Sequence, residues 1–196
     1  MKNFFLIFTL ILNSLFIYAA PFGLKMGMSI DKIAELCEES PVFIENDTYL
    51  IVPVKKHPVF TNYVVYVNNK TGLYQIRAFS DYITCNNYGT EIQNAFNIVK
   101  DRISKTYGTP KIINKIDSNL SEYMKQDKWW FNNLKNGAQQ LSAIWGEKTI
   151  LTDDLVTVVL DCVTNDEPIH WEDAVLVLYY YFKNTELVED EQDSVF

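Results

Sequence analysis

The sequence predicts an α+β fold made of two diverged units, each with helix packed on an antiparallel sheet. Three observations carry that reading. Strand-like alternation comes in two runs, residues 49–80 and 139–182, and amphipathic helical spacing precedes each run. Strands that follow one another through turns, without an intervening helix, point to antiparallel pairing and away from a parallel βαβ sheet. The composition, 48% hydrophobic and 14% aromatic over 196 residues, supplies a core and excludes intrinsic disorder, collagen and coiled coil.

Residues 1–19 have the pattern of a signal peptide. Lys2 gives a positive start, residues 4–18 are almost wholly apolar, and Ala19 and Ala20 offer small residues for cleavage before Pro21. The apolar stretch is short of the ~20 residues that span a bilayer. A mature start at Ala20, export to the periplasm or medium, and no membrane span after signal removal are therefore expected. Units at 20–84 and 85–184 follow, then an acidic, disordered tail at 185–196.

In the first unit, Ser29 is a good N-cap, and Ile30, Ile33, Ala34 and Cys37 repeat at helical spacing, predicting a helix over 30–39 that stops before Pro41. Residues 49–54 read as a strand, with Pro53 marking a sheet edge. Residues 59–67 and 73–80 read as a hairpin around a turn at 68–72. In the second unit, Thr90 and Gln93 suggest a capping box. Ile92, Ala95, Phe96, Val99 and Ile103 line one helical face, which ends at Gly108 and Pro110. A third helix is expected over 120–135. Strands follow at 139–145, 155–163 and 174–182. The last is apolar on both faces, as in a central or doubly covered strand.

Charge narrows the function. With 17 basic against 25 acidic residues, net −8, and only Arg77 and Arg102 as arginines, the chain is a poor ligand for nucleic acid or anionic membranes. No P-loop, dinucleotide fingerprint, nucleophile elbow or zincin motif occurs, and no cofactor or metal is expected. Asp166, Glu167, His170, Glu172 and Asp173 could ligate a cation, but their spacing fits no metal template and suits a polar hairpin loop. His57, in Lys-Lys-His-Pro, has no nucleophile near it in sequence. Asn46, Asn69 and Asn119 stand in Asn-x-Ser/Thr triplets that matter only in a eukaryotic secretory route; the Asn, Ile and Lys bias favours a bacterium.

Cys37, Cys85 and Cys162 lack C-x-x-C spacing. Three buried free thiols and one disulfide plus one free thiol are both open in an oxidising compartment, with Cys85–Cys162 the favoured pair. The aromatics Trp129, Trp130, Phe131, Trp145, Trp171 and residues 179–181 are either core or a sugar- or peptide-binding surface. Trp129 is the one expected to be exposed.

The run Gly23-Leu24-Lys25-Met26-Gly27-Met28-Ser29-Ile30-Asp31-Lys32-Ile33 is similar to the Gly-Met-Ser helix start of small bacterial envelope proteins. These include the small lipoprotein of the outer-membrane β-barrel assembly machinery and the β-lactamase inhibitor protein. Tyr107-Gly108-Thr109-Pro110 after an amphipathic helix, then Leu141-Ser142-Ala143-Ile144-Trp145, resembles exported bacterial proteins of the same build. This chain lacks the lipidated cysteine and is longer than a single-unit member. The resemblance implies a non-catalytic interaction module and transfers no site residues.

The expected function is an exported binding or inhibitor-like module that docks a protein or envelope partner on a sheet face. Gln140, Ser142 and Ile144 on one strand and Thr157, Val159 and Asp161 on the next form that face, opposite Leu141, Ala143 and Trp145 and Val156, Val158 and Leu160. A cell-envelope hydrolase using dispersed carboxylates is the alternative.

Overall fold

In the computed structural model, the residues described are 20–147, 150–164 and 171–188. Nine strands form one antiparallel sheet: β1 (Val42–Glu45), β2 (Thr48–Ile51), β3 (Phe60–Asn68), β4 (Gly72–Ser80), β5 (Ile83–Thr84), β6 (Lys111–Ile116), β7 (Gln139–Trp145), β8 (Leu155–Thr164) and β9 (Asp173–Phe182). The spatial order is β1-β2-β3-β4-β9-β8-β7-β6, with β5 beside the start of β9. Helix α1 (Ile30–Ala34) precedes β1 to β4, and α2 (Thr90–Tyr107) precedes β6 to β9. The final strands of these two meanders, β4 and β9, pair through Ile76 with Tyr180 and Ala78 with Leu178. Both halves thus share one sheet and one hydrophobic cluster.

One sheet face is covered. Val65, Ile76, Tyr180, Val158 and Trp145 make a buried row across five strands. Against this face α2 lays Ile92, Phe96, Val99, Ile103 and Tyr107, all buried. Each large apolar side chain so buried contributes roughly 1.5–3 kcal/mol. The ring of Phe22, in a 3-10 turn at Pro21–Gly23, meets Tyr63 and Tyr180 edge-on. Trp145 is 1% exposed, and its indole Nε1 donates to Gly108 O at 2.9 Å, so its polar edge is satisfied inside the core.

The hairpin β3–β4 and strands β7, β8 and β9 lie where the alternation predicts. Other elements differ for local reasons. Helix α1 is capped by Ser29, whose Oγ accepts from Lys32 N at 3.5 Å, but it ends at Ala34. Glu38 N instead donates to Val52 O and Val54 N to Leu36 O, which draws residues 36–38 into a bridge beside Pro53. The edge strand is therefore β1, not the one carrying Pro53.

Helix α2 is capped by Gly89 in a left-handed conformation, and no Thr90–Gln93 capping box forms. Asn86 Oδ1 accepts from Tyr88 N and Thr90 N, and Glu91 Oε2 accepts from Asn86 N. The helix expected over 120–135 reduces to a 3-10 turn, Asp127–Trp129, followed by α3 (Trp130–Lys135). Of the expected acidic tail, Thr185 and Val188 are buried, and Thr185 Oγ1 donates to Tyr74 O at 2.8 Å. Residues 189–196 lie outside the described residues, as do residues 1–19 with the expected signal peptide.

Candidate functional site

The opposite face of the sheet carries the six residues singled out from the sequence. Strands β7 and β8 put Ser142 opposite Asp161 and Ile144 opposite Val159. Thr157 lies opposite Tyr181 on β9, and Gln140 is exposed two residues before Ser142 on its strand. One continuous row on this face runs through Leu50, Val64, Arg77, Tyr179, Val159, Ile144 and Lys111, crossing seven strands.

At the seam of the two meanders the row becomes aromatic and cationic. The Arg77 guanidinium sits 4.6 Å from the Tyr66 ring centroid and 5.4 Å from that of Tyr179. Tyr179 in turn stacks on Tyr181, with centroids 6.1 Å apart and planes 9° apart. Cation–π contact on both sides holds the guanidinium in place, and such contacts strengthen when desolvated. Tyr179 and Tyr181 point outward because they alternate with the buried Tyr180 and Phe182.

Polar satisfaction is incomplete here. Gln140 Nε2 donates to Ser142 Oγ at 3.2 Å, and Ser142 hydrogen-bonds Asp161. Yet Asp161 Oδ1, Arg77 Nε and Gln75 Nε2 are sealed from solvent with no hydrogen-bond partner among the described residues. These three groups lie on the same face, on β8 and β4, flanking β9. Desolvation raises the pKa of the Asp161 carboxyl, and the hydrogen bond to Ser142 offsets only part of that. Burial also raises the Tyr179 phenol, with the Asp161 charge adding to the shift and Arg77 opposing it. Buried polar groups without partners are costly, at ~1–3 kcal/mol each, and carboxyls whose pKa is perturbed as that of Asp161 is cluster at functional sites.

Sequence reasoning missed Gln75, Arg77, Tyr66, Tyr179 and Tyr181 as members of this face. The signal was available in β4, where Gln75, Arg77 and Phe79 alternate with Ile76 and Ala78. Trp129, expected to be exposed, is half-buried with its Nε1 sealed, because the 3-10 turn folds it against Tyr123. Trp171 is the exposed one at 61%, with the Lys135 ammonium 3.3 Å from its ring centroid.

The remaining candidates are dispersed. Asp166, Glu167 and His170 lie outside the described residues; Glu172 is exposed, and Asp173 accepts from Thr84 Oγ1 at 2.7 Å. Among the described residues, no group of three or more His, Cys, Asp or Glu side chains could hold a metal ion. His57 Nδ1 accepts from Val59 N at 3.3 Å, and burial followed by the Arg102 charge lowers its pKa. All three thiols are free. Cys85 and Cys162 are buried in the same cluster, and the Cys85 thiol donates to Ile83 O at 3.2 Å. Burial pushes the Cys85 thiol up to about 11 and that of Cys162 higher still.

Comparison of the chain with protein families, with curated proteins and with solved structures gives no match in any of the three.

Proposed function

We propose that this chain is an exported, non-catalytic binding protein that docks a protein partner on the open sheet face, centred on Arg77 and Tyr179. The observation that supports this reading is the conjunction of Asp161, Arg77 and Gln75, each with an unpartnered buried polar atom, around outward-facing tyrosines. Arginine and tyrosine are, with tryptophan, the residue types enriched at protein-binding hot spots, and a preorganised guanidinium loses little entropy on docking. Ile144 and Val159, adjacent and half-buried, supply the apolar part of the contact, and Gln140, Thr157 and Asp161 its polar surround; Ser142, buried at 2% exposure, holds Gln140 and Asp161 by hydrogen bonds. Export rests on the pattern of residues 1–19.

The test is site-specific photo-crosslinking in the native host, with a photoreactive residue at Val159 or, as control, at Ile98, which is exposed on the outer side of α2. One protein should crosslink from Val159 and not from Ile98, and the pair Ile144→Lys with Thr157→Lys, made beside the Val159 probe, should abolish it. Identical products from both positions would overturn the reading. So would unfolding of the double variant, because the face would then be buried.

A further inference from the structure

A concave site lies on the helix-covered side, where α2 leaves the sheet uncovered toward β6. It is a groove of about 590 Å³, within the ~300–1,000 Å³ typical of small-molecule sites. Its walls come from regular elements. Gln93, Asn94 and Asn97 share one stripe of α2, beside the apolar stripe that meets the core. The floor is Asn114 of β6 and Gln139 of β7, at positions whose neighbours on the same face are Leu141 and Ala143. Amides thus replace core residues where the helix no longer covers them.

Seven of the thirteen lining residues are carboxamides, whereas Asn and Gln together make 23 of the 196 residues in the chain. The formal charges nearly cancel: the lining holds Lys125 and Asp127, and Lys125 is paired with Glu122 at 2.7 Å. Such a lining offers nothing to select an anion or a cation. It offers paired donors and acceptors, several of them unspent. Asn94 and Gln126 make no side-chain hydrogen bond among the described residues. Gln139, 6% exposed, donates from Nε2 to Asn114 Oδ1 at 2.8 Å, and its Oε1 takes no bond there.

Trp130 contributes its indole to the lining of the same groove. It is seated against Gly89, where no side chain intervenes. Planar amides in fork geometry match vicinal hydroxyls, and an indole face suits the C–H face of a pyranose ring. A peptide would satisfy the amides too, but its side chains call for apolar pockets, and Ile116 is the one aliphatic hydrophobic residue in the lining.

We infer that this groove binds a short neutral saccharide, stacked on Trp130 and hydrogen-bonded by the amides of α2, β6 and β7. The site is on the other side of the sheet from the protein-docking face, so either reading can fail without the other.

Saturation-transfer NMR and tryptophan fluorescence on the full chain test this with cellotriose, maltotriose and N-acetylchitotriose as probes. Trigalacturonate and a capped trialanine peptide serve as charged and peptide controls. At least one neutral trisaccharide should bind below about 10 mM. The pair Asn94→Leu with Asn97→Leu, both exposed on α2, should weaken that binding about tenfold or more, as loss of amide hydrogen bonds to a ligand does. The melting temperature of that variant should stay within a few degrees of the parent. Absence of binding by all three neutral probes overturns the inference. Equal binding of either control, or unchanged affinity in the double variant, overturns it too.

Discussion

Replacing Gly89 with alanine probes the junction on which both α2 and the amide groove depend. Gly89 caps α2 at φ 63°, ψ 25°, a left-handed conformation that costs an L-residue ~1–2 kcal/mol. A Cβ at this position would also overlap Cε3 and Cζ3 of Trp130. The indole cannot simply withdraw, because Phe131 N donates to Asn87 O at 3.0 Å and pins α3 to the loop before Gly89. Overpacking against a constrained ring adds roughly 1–3 kcal/mol. The total is about 2–5 kcal/mol, or a melting temperature lower by roughly 4–20 °C for a chain of this size. Gly137→Ala is the control. Gly137 has φ 69° at the end of α3, with open space where its Cβ would stand, so the backbone penalty acts there alone. Urea unfolding followed by tryptophan fluorescence should therefore separate the two variants by about 1–3 kcal/mol. Losses equal to within about 0.5 kcal/mol, inside the ordinary scatter of surface substitutions, would refute the steric account.

Asp161→Asn should stabilise the fold at pH 7. The folded carboxyl has its pKa raised by desolvation, so ionisation disfavours the folded state above the ordinary carboxylate pKa, and the penalty disappears as pH falls below about 4, where both states are protonated. Thermal melts across this range check it; a gain that is the same at every pH would refute it. The thiols should label in a fixed order at about pH 8, near the ordinary thiol pKa. Cys37, half-buried, reacts first, while Cys85 and Cys162 react only on unfolding, because burial suppresses their thiolates. Equal native-state labelling rates for all three, read by mass spectrometry, contradict that order.

What was legible in the sequence was periodicity coupled to burial. Leu141, Ala143 and Trp145 alternate with Gln140, Ser142 and Ile144 because one side of β7 meets α3 and the core and the other does not. Strands β1 and β6 were not legible. Val42, Phe43 and Ile44 are consecutive and all more than half exposed, and Lys111 to Ile116 pairs on one side only, so neither edge strand has to alternate. Tyr123, Met124, Trp130, Phe131 and Leu134 imitate a helical stripe over 120–135. In the structure Met124 O instead accepts from the buried Asn133 Nδ2 at 2.7 Å, and that tertiary bond holds 120–126 in turns. Helix propensity is a weak prior that such contacts override. The proposed docking face was half legible: β7 and β8 showed it, but Arg77 and Tyr179 become neighbours only through the β4–β9 pairing, which joins residues a hundred positions apart.

That pairing also explains why β9 is apolar on both faces. Its inner residues, Leu176, Leu178, Tyr180 and Phe182, are buried under α2 and the 3-10 turn. Its outer residues, Val175, Val177, Tyr179 and Tyr181, face away from those helices, and a strand in the middle of a one-sided antiparallel sheet would ordinarily carry polar groups there. Val177 is nevertheless only 2% exposed, shielded on that face by its cross-strand neighbours Phe79 and Asp161. The sheet thus keeps an apolar and aromatic centre dry with side chains alone, and in doing so strands an arginine and an aspartate with incomplete hydrogen bonding. A sequence optimised only for stability would replace Asp161 and Gln75 with groups that need no partner. Their presence at the centre of the uncovered face, where two meanders meet, is the local inconsistency that the proposed docking of a partner would resolve.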